Sequence, residues 1–154
     1  ITKKGKIIVC GNGGSQSQSS HLCAELIVRF KSNSKRPSLA ALSLGSDASI
    51  ITACSNDFGY ENIFSRQLEA LLHNNDCFIS FSTSGNSENI KNALSYTSNF
   101  LTKEKIFLIT GNNYIKNNGV STICCPEIGE TDTYQEFHLL LIHMICYSLE
   151  CIYK

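Results

Sequence analysis

An excess of charge is the first thing that this sequence lacks. Its 154 residues include 13 Lys and Arg and 13 Asp and Glu, so the formal net charge is zero. Proteins that bind the phosphate backbone of nucleic acids normally carry a basic excess, so nucleic acid is disfavoured as the main partner. Proline is scarce and 42% of the residues are hydrophobic, which excludes a disordered chain. The length suits one domain with its own core.

Long apolar runs and paired cysteines are also missing. The longest apolar run, LLLIHMICYSL, is about half of the roughly 20 residues that a membrane span needs, and it contains a His. We find no secretory signal. The eight cysteines include no CxxC pair, and most of them lie in strand-like or helix-like apolar stretches. We interpret them as buried free thiols of a reducing compartment, which predicts a cytoplasmic protein with no membrane partner.

Short apolar segments alternate with helical patterns along the whole chain. Most of these segments are apolar throughout, as strands buried on both faces are. Strands that alternate with helices predict a parallel sheet covered by helices on both sides. The predicted strands are 6–10, 39–44, 77–82, 105–110 and 121–125, and the predicted helices are roughly 16–31, 47–54, 60–73, 87–100 and 131–153.

Ligands of such sheets bind at the carboxyl ends of the strands, so the turns at 11–15, 82–87 and 111–113 are the candidates for a site. The first turn, GNGGS, permits close backbone approach, but it lacks the third Gly of the dinucleotide fingerprint GxGxxG. It is a weak signal when taken alone.

The second turn, in FSTSGNSENI, carries four hydroxyl side chains just before a predicted helix. The free N–H groups at a helix start, together with these hydroxyls, can bind a phosphate without a cation. The alternative is an ordinary helix cap in a Ser-rich loop, since Ser and Asn favour such positions. The turn lacks the Lys of a nucleotide P-loop, which excludes that class of site.

His21 and Glu25 are four residues apart in a predicted helix and therefore share one face. An imidazole and a carboxylate on one face can bind a metal ion or act as base and acid. The alternative is an exposed pair, and Arg29 would extend the same stripe as a ladder of salt bridges.

The last predicted helix is apolar on nearly all sides, which predicts burial against further copies of the chain in an oligomer. Gln135 and His143 on this helix are eight residues apart, about 80° around and about 12 Å along its axis. They can reach one atom only if both side chains lean inward or if they belong to different chains. His138 is interpreted as a core residue.

Several blocks of the sequence together resemble one family. CGNGGS…HLCAEL…RF, RPSLAALSL, SNDFGYENIFSRQLEAL, FSTSGNSENI and DTYQEFHLLLIH resemble the phosphoheptose isomerases of the sugar-isomerase (SIS) superfamily, in the right order over nearly the whole chain. The resemblance implies an α/β three-layer sandwich whose five-stranded parallel sheet is doubly wound, like that of flavodoxin. It also implies a single SIS domain over 1–154, without the helical segment that usually precedes the first strand in the family.

The resemblance further implies the reaction, the site and the assembly. The reaction is the conversion of sedoheptulose 7-phosphate to D-glycero-D-manno-heptose 7-phosphate, for heptose of bacterial lipopolysaccharide or capsule. The assembly is a homotetramer with active sites between subunits. Some members bind one Zn²⁺ per subunit through residues that correspond here to His21, Glu25, Gln135 and His143. The phosphate loop corresponds to Ser82, Thr83, Ser84 and Ser87, and further substrate contacts correspond to Asn12, Ser15, Arg29, Asn56, Asp57, Asp132 and Gln135.

The proposed chemistry proceeds through an enediol and needs a base, an acid and stabilisation of an oxyanion. We expect Glu25 to move the carbon-bound proton and His143 to move the hydroxyl proton, with Zn²⁺ as a Lewis acid. One departure from the family is QSQSS after GNGGS, which would put Gln16 and Gln18 at the rim of the pocket.

Two other functions fit parts of the pattern. A related branch with the same fold binds the bacterial replication initiator protein and is not an isomerase. That branch keeps the phosphate loop but lacks the equivalents of Glu25 and His143, which are both present here. The other alternative is an isomerase of a different sugar phosphate, because the length of the sugar is read by the shape of the pocket.

Overall fold

A computed structural model describes residues 5–112, 119–126 and 129–153. These residues form a parallel sheet of five strands, and the predicted α/β class is confirmed. The strands are β1 (Ile7–Gly11), β2 (Ala41–Ser43), β3 (Cys77–Ser82), β4 (Ile106–Thr110) and β5 (Ser121–Cys124). The helices are α1 (Gly14–Ile27), α2 (Ala48–Phe58), α3 (Ser65–Leu71), α4 (Glu88–Ser98) and α5 (Thr131–Ile152), with 3₁₀ turns at Tyr60–Asn62 and Lys103–Lys105.

The sheet has the order β2-β1-β3-β4-β5, and every neighbouring pair is parallel. The chain leaves β1 toward β2 on one side and returns to β3 on the other. The order therefore reverses between β1 and β3, and a crevice opens beyond their carboxyl ends. Gly11 of β1 is in register with Phe81 of β3, so the turns after these two strands begin side by side.

Helices cover the sheet on both faces, which explains why the strands are apolar throughout. Side chains alternate along a strand, so Ile8 of β1 packs into one core cluster and Val9 into the other. Residues of α2, α3 and α4 share the cluster of Ile8, whereas residues of α1 and α5 share the cluster of Val9. These layers form the expected three-layer sandwich.

The prediction was wrong about the extent of three helices, since α2 also runs to Phe58, four residues beyond its predicted end. The segment 60–73 forms a 3₁₀ turn and the short helix α3, with the buried Ile63 and Phe64 between them. Helix α1 ends at Ile27, so Arg29 does not continue its stripe of side chains. The predicted turn at 111–113 is described only to residue 112, and Asn113 lies outside the described residues.

Helix α1 ends early because side chains from the next loop bind its last carbonyls. The Arg36 guanidinium donates hydrogen bonds to the carbonyl oxygens of Glu25 and Leu26, and the Ser38 hydroxyl donates one to that of Ile27. The cationic Arg36 also complements the negative end of the helix dipole. The loop thereby holds the turn of helix that carries Glu25.

Candidate active site

The turns beyond β1 and β3 hold six of the candidate residues: Asn12, Ser15, Ser82, Thr83, Ser84 and Ser87. The turn after β1 leads directly into α1, whose N-terminal cap, Gly13, provides no side-chain hydrogen bond to the helix. The Asn12 carbonyl accepts the N–H of Ser15 at 3.0 Å, which closes the turn. Ser15 itself is buried in the first turn of α1. The Asn12 carboxamide lies between Asn89 of α4 and Tyr60, two residues to which the sequence analysis assigned no role.

Three ionisable side chains meet at the seam between α1 and α5. The Nε2 atoms of His21 and His143 are 3.3 Å apart, and His21 Nε2 is 3.7 Å from Glu25 Oε1. Side chains of His21 and Glu25 keep 39% and 21% of their accessible surface, so a ligand can reach both. The Phe30 ring packs 5.6 Å from the ring of His143 and shields one side. The helix spacing of His21 and Glu25 was predictable from the sequence pattern, whereas the approach of His143 was expected only from the family resemblance.

The same geometry bears on whether this cluster could hold a metal ion. Two imidazole nitrogens on one tetrahedral Zn²⁺, with Zn–N bonds of about 2.0–2.1 Å, lie about 3.3–3.4 Å apart. The separation of His21 and His143 fits that spacing. Within the described ranges, however, no group of three or more His, Cys, Asp or Glu side chains is close enough to hold a metal as it stands. The donor set fits zinc if the Glu25 carboxylate moves toward the two rings.

Gln135 lies along the same seam but at a different level. Its carboxamide packs against Gly14 at the start of α1. Its backbone carbonyl oxygen lies 3.5 Å from Gln18 Nε2. Gly14 and His21 are seven residues apart, about 10 Å along the helix axis. Within one chain, therefore, His143 meets His21 while Gln135 contacts the helix two turns earlier.

The two glutamines of QSQSS differ in position. Gln18 lies beside Gln135, as expected for a residue at the rim. Gln16 instead points toward the end of β2, where its Nε2 donates a hydrogen bond to the Ser43 hydroxyl at 2.6 Å.

We expect Gly14→Ala to lower the activity of the protein while leaving its fold intact. A Cβ at position 14 would lie 2.3 Å from Gln135 Nε2, too close for both to stay in place. Because the clash is with the end of a flexible side chain, Gln135 can swing away with little loss of stability. The expected result is a fall in kcat/KM of about tenfold or more with a melting temperature within a few degrees of the parent. A variant with unchanged kinetics would show that the position of Gln135 is unimportant.

The turn after β3 has the features of an anion site. Gly85, with φ of 65°, allows the tight turn, and its N–H donates to the Ser82 hydroxyl at 3.1 Å. Ser82 is buried, so its hydroxyl helps to shape the loop. Ser84 is exposed, and the Ser87 hydroxyl makes no capping bond to α4. The Ser84 hydroxyl accepts the N–H of Asn86 at 3.2 Å, but among the described residues neither Ser84 nor Ser87 has an acceptor for its hydroxyl proton. These hydroxyl protons and the uncapped N–H groups at the start of α4 point to an oxyanion as the ligand.

Four other candidate residues are not brought to this crevice by any described contact. Arg29 is exposed, and its Nη1 donates to the Ser32 carbonyl at 3.1 Å. Asn56 and Asp57 are exposed at the end of α2 and bind each other, with 2.7 Å between Asn56 Nδ2 and Asp57 Oδ1. Asp132 is exposed in the first turn of α5, where it accepts the N–H of Thr133.

His138 is the most deeply buried imidazole of α5. It has no exposed surface, its ring packs 5.4 Å from that of Phe81, and neither ring nitrogen has a hydrogen-bond partner in the described part of the chain. Burial lowers the pKa of His138 from 6.5 to about 4. The residue is therefore neutral at neutral pH and belongs to the core, as the sequence predicted.

The buried His138 predicts a loss of stability in mild acid. The unfolded chain takes up a proton near pH 6.5, whereas the folded chain resists protonation until about pH 4. The stability is therefore complete above pH 6.5 and falls as the pH drops toward 4, by up to about 3 kcal/mol. Urea unfolding between pH 4 and 7 should show a shallower dependence in His138→Phe than in the parent protein. Equal slopes in the two proteins would contradict this assignment.

Comparisons with known proteins agree with this arrangement. The model of the SIS domain family matches residues 1–102. The phosphoheptose isomerase of Helicobacter pylori is 40% identical over 150 residues, which are 97% of this chain and 77% of that protein. That of Aromatoleum aromaticum is 36% identical over 157 residues, 99% of this chain and 77% of that protein.

The chain belongs to the phosphoheptose isomerases, which are SIS-domain proteins. Solved structures of the family share its fold as well. Phosphoheptose isomerase GmhA from Neisseria gonorrhoeae superimposes with a TM-score of 0.84 at 31% identity and covers 98% of this chain and 79% of its own. The phosphoheptose isomerase from Francisella tularensis gives a TM-score of 0.81, also at 31% identity, over 92% of this chain and 74% of its own.

Membership of the phosphoheptose isomerases makes this protein an isomerase and confirms the family and fold that the sequence predicted. The five-stranded parallel sheet and its flanking helices are those of the SIS domain. In the described ranges, no helix combines the length and hydropathy of a membrane span.

Proposed function

We propose that this protein converts sedoheptulose 7-phosphate to D-glycero-D-manno-heptose 7-phosphate through an enediol. Two observations carry this proposal: His21, Glu25 and His143 meet at the seam of α1 and α5, and a separate hydroxyl-rich turn leads from β3 into α4. A carboxylate and an imidazole supply a base and an acid for the sugar carbons, and the helix start supplies a seat for the distant phosphate.

Glu25 is the residue proposed to move the carbon-bound proton. Its carboxylate removes a proton from C1 of the ketose while His143 gives a proton to the oxygen on C2, which yields the enediol. His143 then takes the proton from the hydroxyl on C1, and Glu25 returns its proton to C2. The aldose forms with no net gain or loss of protons. Partial exposure of the Glu25 side chain lets it reach the carbon chain of a bound sugar.

A zinc ion is part of the proposal, held by His21, Glu25, Gln135 and His143. Because Gln135 contacts α1 two turns before His21 within one chain, the Gln135 ligand would come from another subunit of the proposed assembly. When bound, Zn²⁺ would supply Lewis-acid polarisation of a carbonyl oxygen. The close pair of His21 and His143 supports this donor set. Glu25 and His143 would each serve both as a ligand and in proton transfer, which requires that both are bound loosely.

The phosphate group of the substrate serves as a binding anchor and takes no part in the proton transfers. We assign it to the turn of Ser82, Thr83, Ser84 and Ser87, where the hydroxyl of Ser87 and the first N–H groups of α4 have no hydrogen-bond partner among the described residues. Binding energy from this remote group positions the carbonyl end against Glu25 and His143. The anchor explains why a phosphorylated heptulose is the expected substrate.

The proposed assembly is a homotetramer with its sites between subunits. Leu140, Met144 and Tyr147 form a stripe along α5 and are 56%, 55% and 57% exposed in the single chain. Their spacing of four and three residues places them on one face of the helix, which supports packing against another copy. In the proposed assembly, the exposed Arg29, Asn56, Asp57 and Asp132 would contribute to sites between subunits.

We place the protein in the cytoplasm, in the synthesis of heptose for lipopolysaccharide or capsule. All eight cysteines are free in the structure, as a reducing compartment requires.

A panel of ketose phosphates with five to seven carbons, followed by NMR with and without a chelator, tests this proposal. We expect conversion of the seven-carbon 7-phosphate, a loss of turnover in chelator, and recovery on adding Zn²⁺. Phosphate-free sedoheptulose should react at least about a hundredfold more slowly in kcat/KM, because the remote binding energy is lost. Equal turnover of the phosphate-free sugar would remove the anchor, and conversion of only a shorter ketose would reassign the substrate.

A further inference from the structure

The carboxamide of Asn12 is held by a reciprocal pair of hydrogen bonds that crosses the crevice. Asn12 Nδ2 donates to Asn89 Oδ1 at 2.9 Å, and Asn89 Nδ2 donates to Asn12 Oδ1 at 2.9 Å. Asn89 is only 2% exposed, so its own amide has little freedom to turn. Two amides paired in this way fix each other's planes, with Asn89 buried and Asn12 partly exposed.

A third residue completes the arrangement. The Tyr60 hydroxyl donates to Asn12 Oδ1 at 3.0 Å, so this oxygen accepts two hydrogen bonds. Both acceptor sites of the Asn12 amide are then occupied, while Nδ2 has used one of its two N–H groups. The remaining N–H has no partner among the hydrogen bonds of the described residues. The side-chain amide of Asn12 can therefore act toward a ligand in the crevice as a hydrogen-bond donor but not as an acceptor.

The position of Asn89 links two parts of the site. Asn89 lies in the first turn of α4, two residues after Ser87, and α4 is the helix whose start forms the proposed phosphate seat. Asn12 lies in the turn after β1 that leads to His21 and Glu25. A single buried amide thus joins the phosphate end of the crevice to the turn that faces the sugar.

We infer that Asn89 is a positioning residue that holds Asn12 as a hydrogen-bond donor toward an oxygen of the sugar phosphate, with Tyr60 as its assistant. The inference rests on the proposed function for the identity of the ligand. The reciprocal hydrogen bonds between Asn12 and Asn89, here called the lock, form in the free protein. The lock and the identity of the ligand can therefore be tested separately.

The first test examines the lock without any substrate. In the ¹⁵N-labelled parent protein, the side-chain NH₂ signal of Asn12, assigned by its absence in Asn12→Ala, should show two well-separated proton shifts and slow exchange with water. In Asn89→Ala, the protons should exchange at least about tenfold faster, because the amide loses two hydrogen bonds. Asn99→Ala provides the matched control, since Asn99 is exposed at the other end of α4. An Asn12 signal unchanged in Asn89→Ala would overturn the inference, whatever the activity of the protein.

The second test uses a double-mutant cycle on isomerase turnover. Asn89→Ala should lower kcat/KM by about 10- to 100-fold, Tyr60→Phe by about three- to tenfold, and Asn99→Ala by less than twofold. If Asn89 acts through Asn12, the double variant Asn12→Ala/Asn89→Ala should be no slower than Asn12→Ala alone. Fully multiplicative losses would show that Asn89 acts on the ligand or the fold directly, and would contradict the inference.

The melting temperature separates this role from a merely structural one. Asn89→Asp and Asn89→Ala are compared by thermal unfolding and by circular dichroism, so that a variant that fails to fold is identified. If the parent turns over none of the ketose phosphates, the proposed function fails, and the NMR test decides the inference alone.

Discussion

Glu25→Gln should lower the kcat of the isomerisation by about 10²- to 10⁴-fold, the typical contribution of a positioned general base. The amide has nearly the size of the carboxylate but cannot accept a proton from carbon. The same variant should lose the exchange of the C1 proton of the substrate with D₂O, which NMR measures directly. KM should change much less, because the proposed phosphate anchor is remote from Glu25.

The control for this prediction is Glu69→Gln, which makes the same change at an exposed position on α3. Among the described residues, Glu69 pairs with Arg66 alone, in an ion pair whose two side chains are exposed. Its variant should retain full turnover and full deuterium exchange. Undiminished turnover in Glu25→Gln would remove Glu25 as the base and leave His143 as the remaining candidate.

Arg36→Met should cause the largest loss of stability, with a melting temperature lower by roughly 10 °C. The Arg36 side chain is 2% exposed and its Nε lies 3.0 Å from Glu150 Oε1, while Glu150 also accepts a hydrogen bond from Ser34 at 2.6 Å. These contacts hold the pKa of Glu150 below its usual value: the Ser34 bond contributes most, burial opposes the shift, and Arg36 adds to it. Without Arg36, a poorly exposed carboxylate loses its cation.

The same substitution at Arg66 is the matched control. The ion pair of Arg66 with Glu69 is exposed on both sides, at 52% and 57%, and such pairs contribute little. Arg66→Met should therefore change the melting temperature by less than about 2 °C. Arg36→Met should also lower activity at temperatures where it is folded, because Arg36 binds the carbonyls of the helical turn that carries Glu25. Equal effects of the two substitutions would contradict the role of the buried pair.

Elements whose pattern is local were predictable from the sequence. The strands β1, β3 and β4 were placed within one residue of their ends, because runs buried on both faces are apolar throughout. The end of α1 was not predictable, since it is set by Arg36, which follows the helix by several residues and gives no periodic signal. The predicted single helix over 60–73 was wrong for a similar reason, because Ile63 and Phe64 turn into the core between two shorter elements.

The candidate site also has parts that short stretches of sequence predict and parts that they do not. The spacing of His21 and Glu25 on one helix face and the hydroxyl-rich turn after β3 follow from short stretches of sequence. The contact of His21 with His143 spans 122 positions, and the pairing of Asn12 with Asn89 spans 77. No short-range pattern carries such pairs, so Tyr60 and Asn89 had no signal that identified them.

Sequence alone was enough to establish the fold class, the family and the chemical character of the residues at the strand ends. Those properties depend on side-chain chemistry and on spacings of a few residues, which a linear chain displays directly. Only the packing of the helices on the sheet decided that His143 meets His21 within one chain, that Gln135 lies at a separate level and that Asn12 pairs with Asn89. These contacts depend on where α1, α4 and α5 cross it, and that placement results from the combined burial of many core residues.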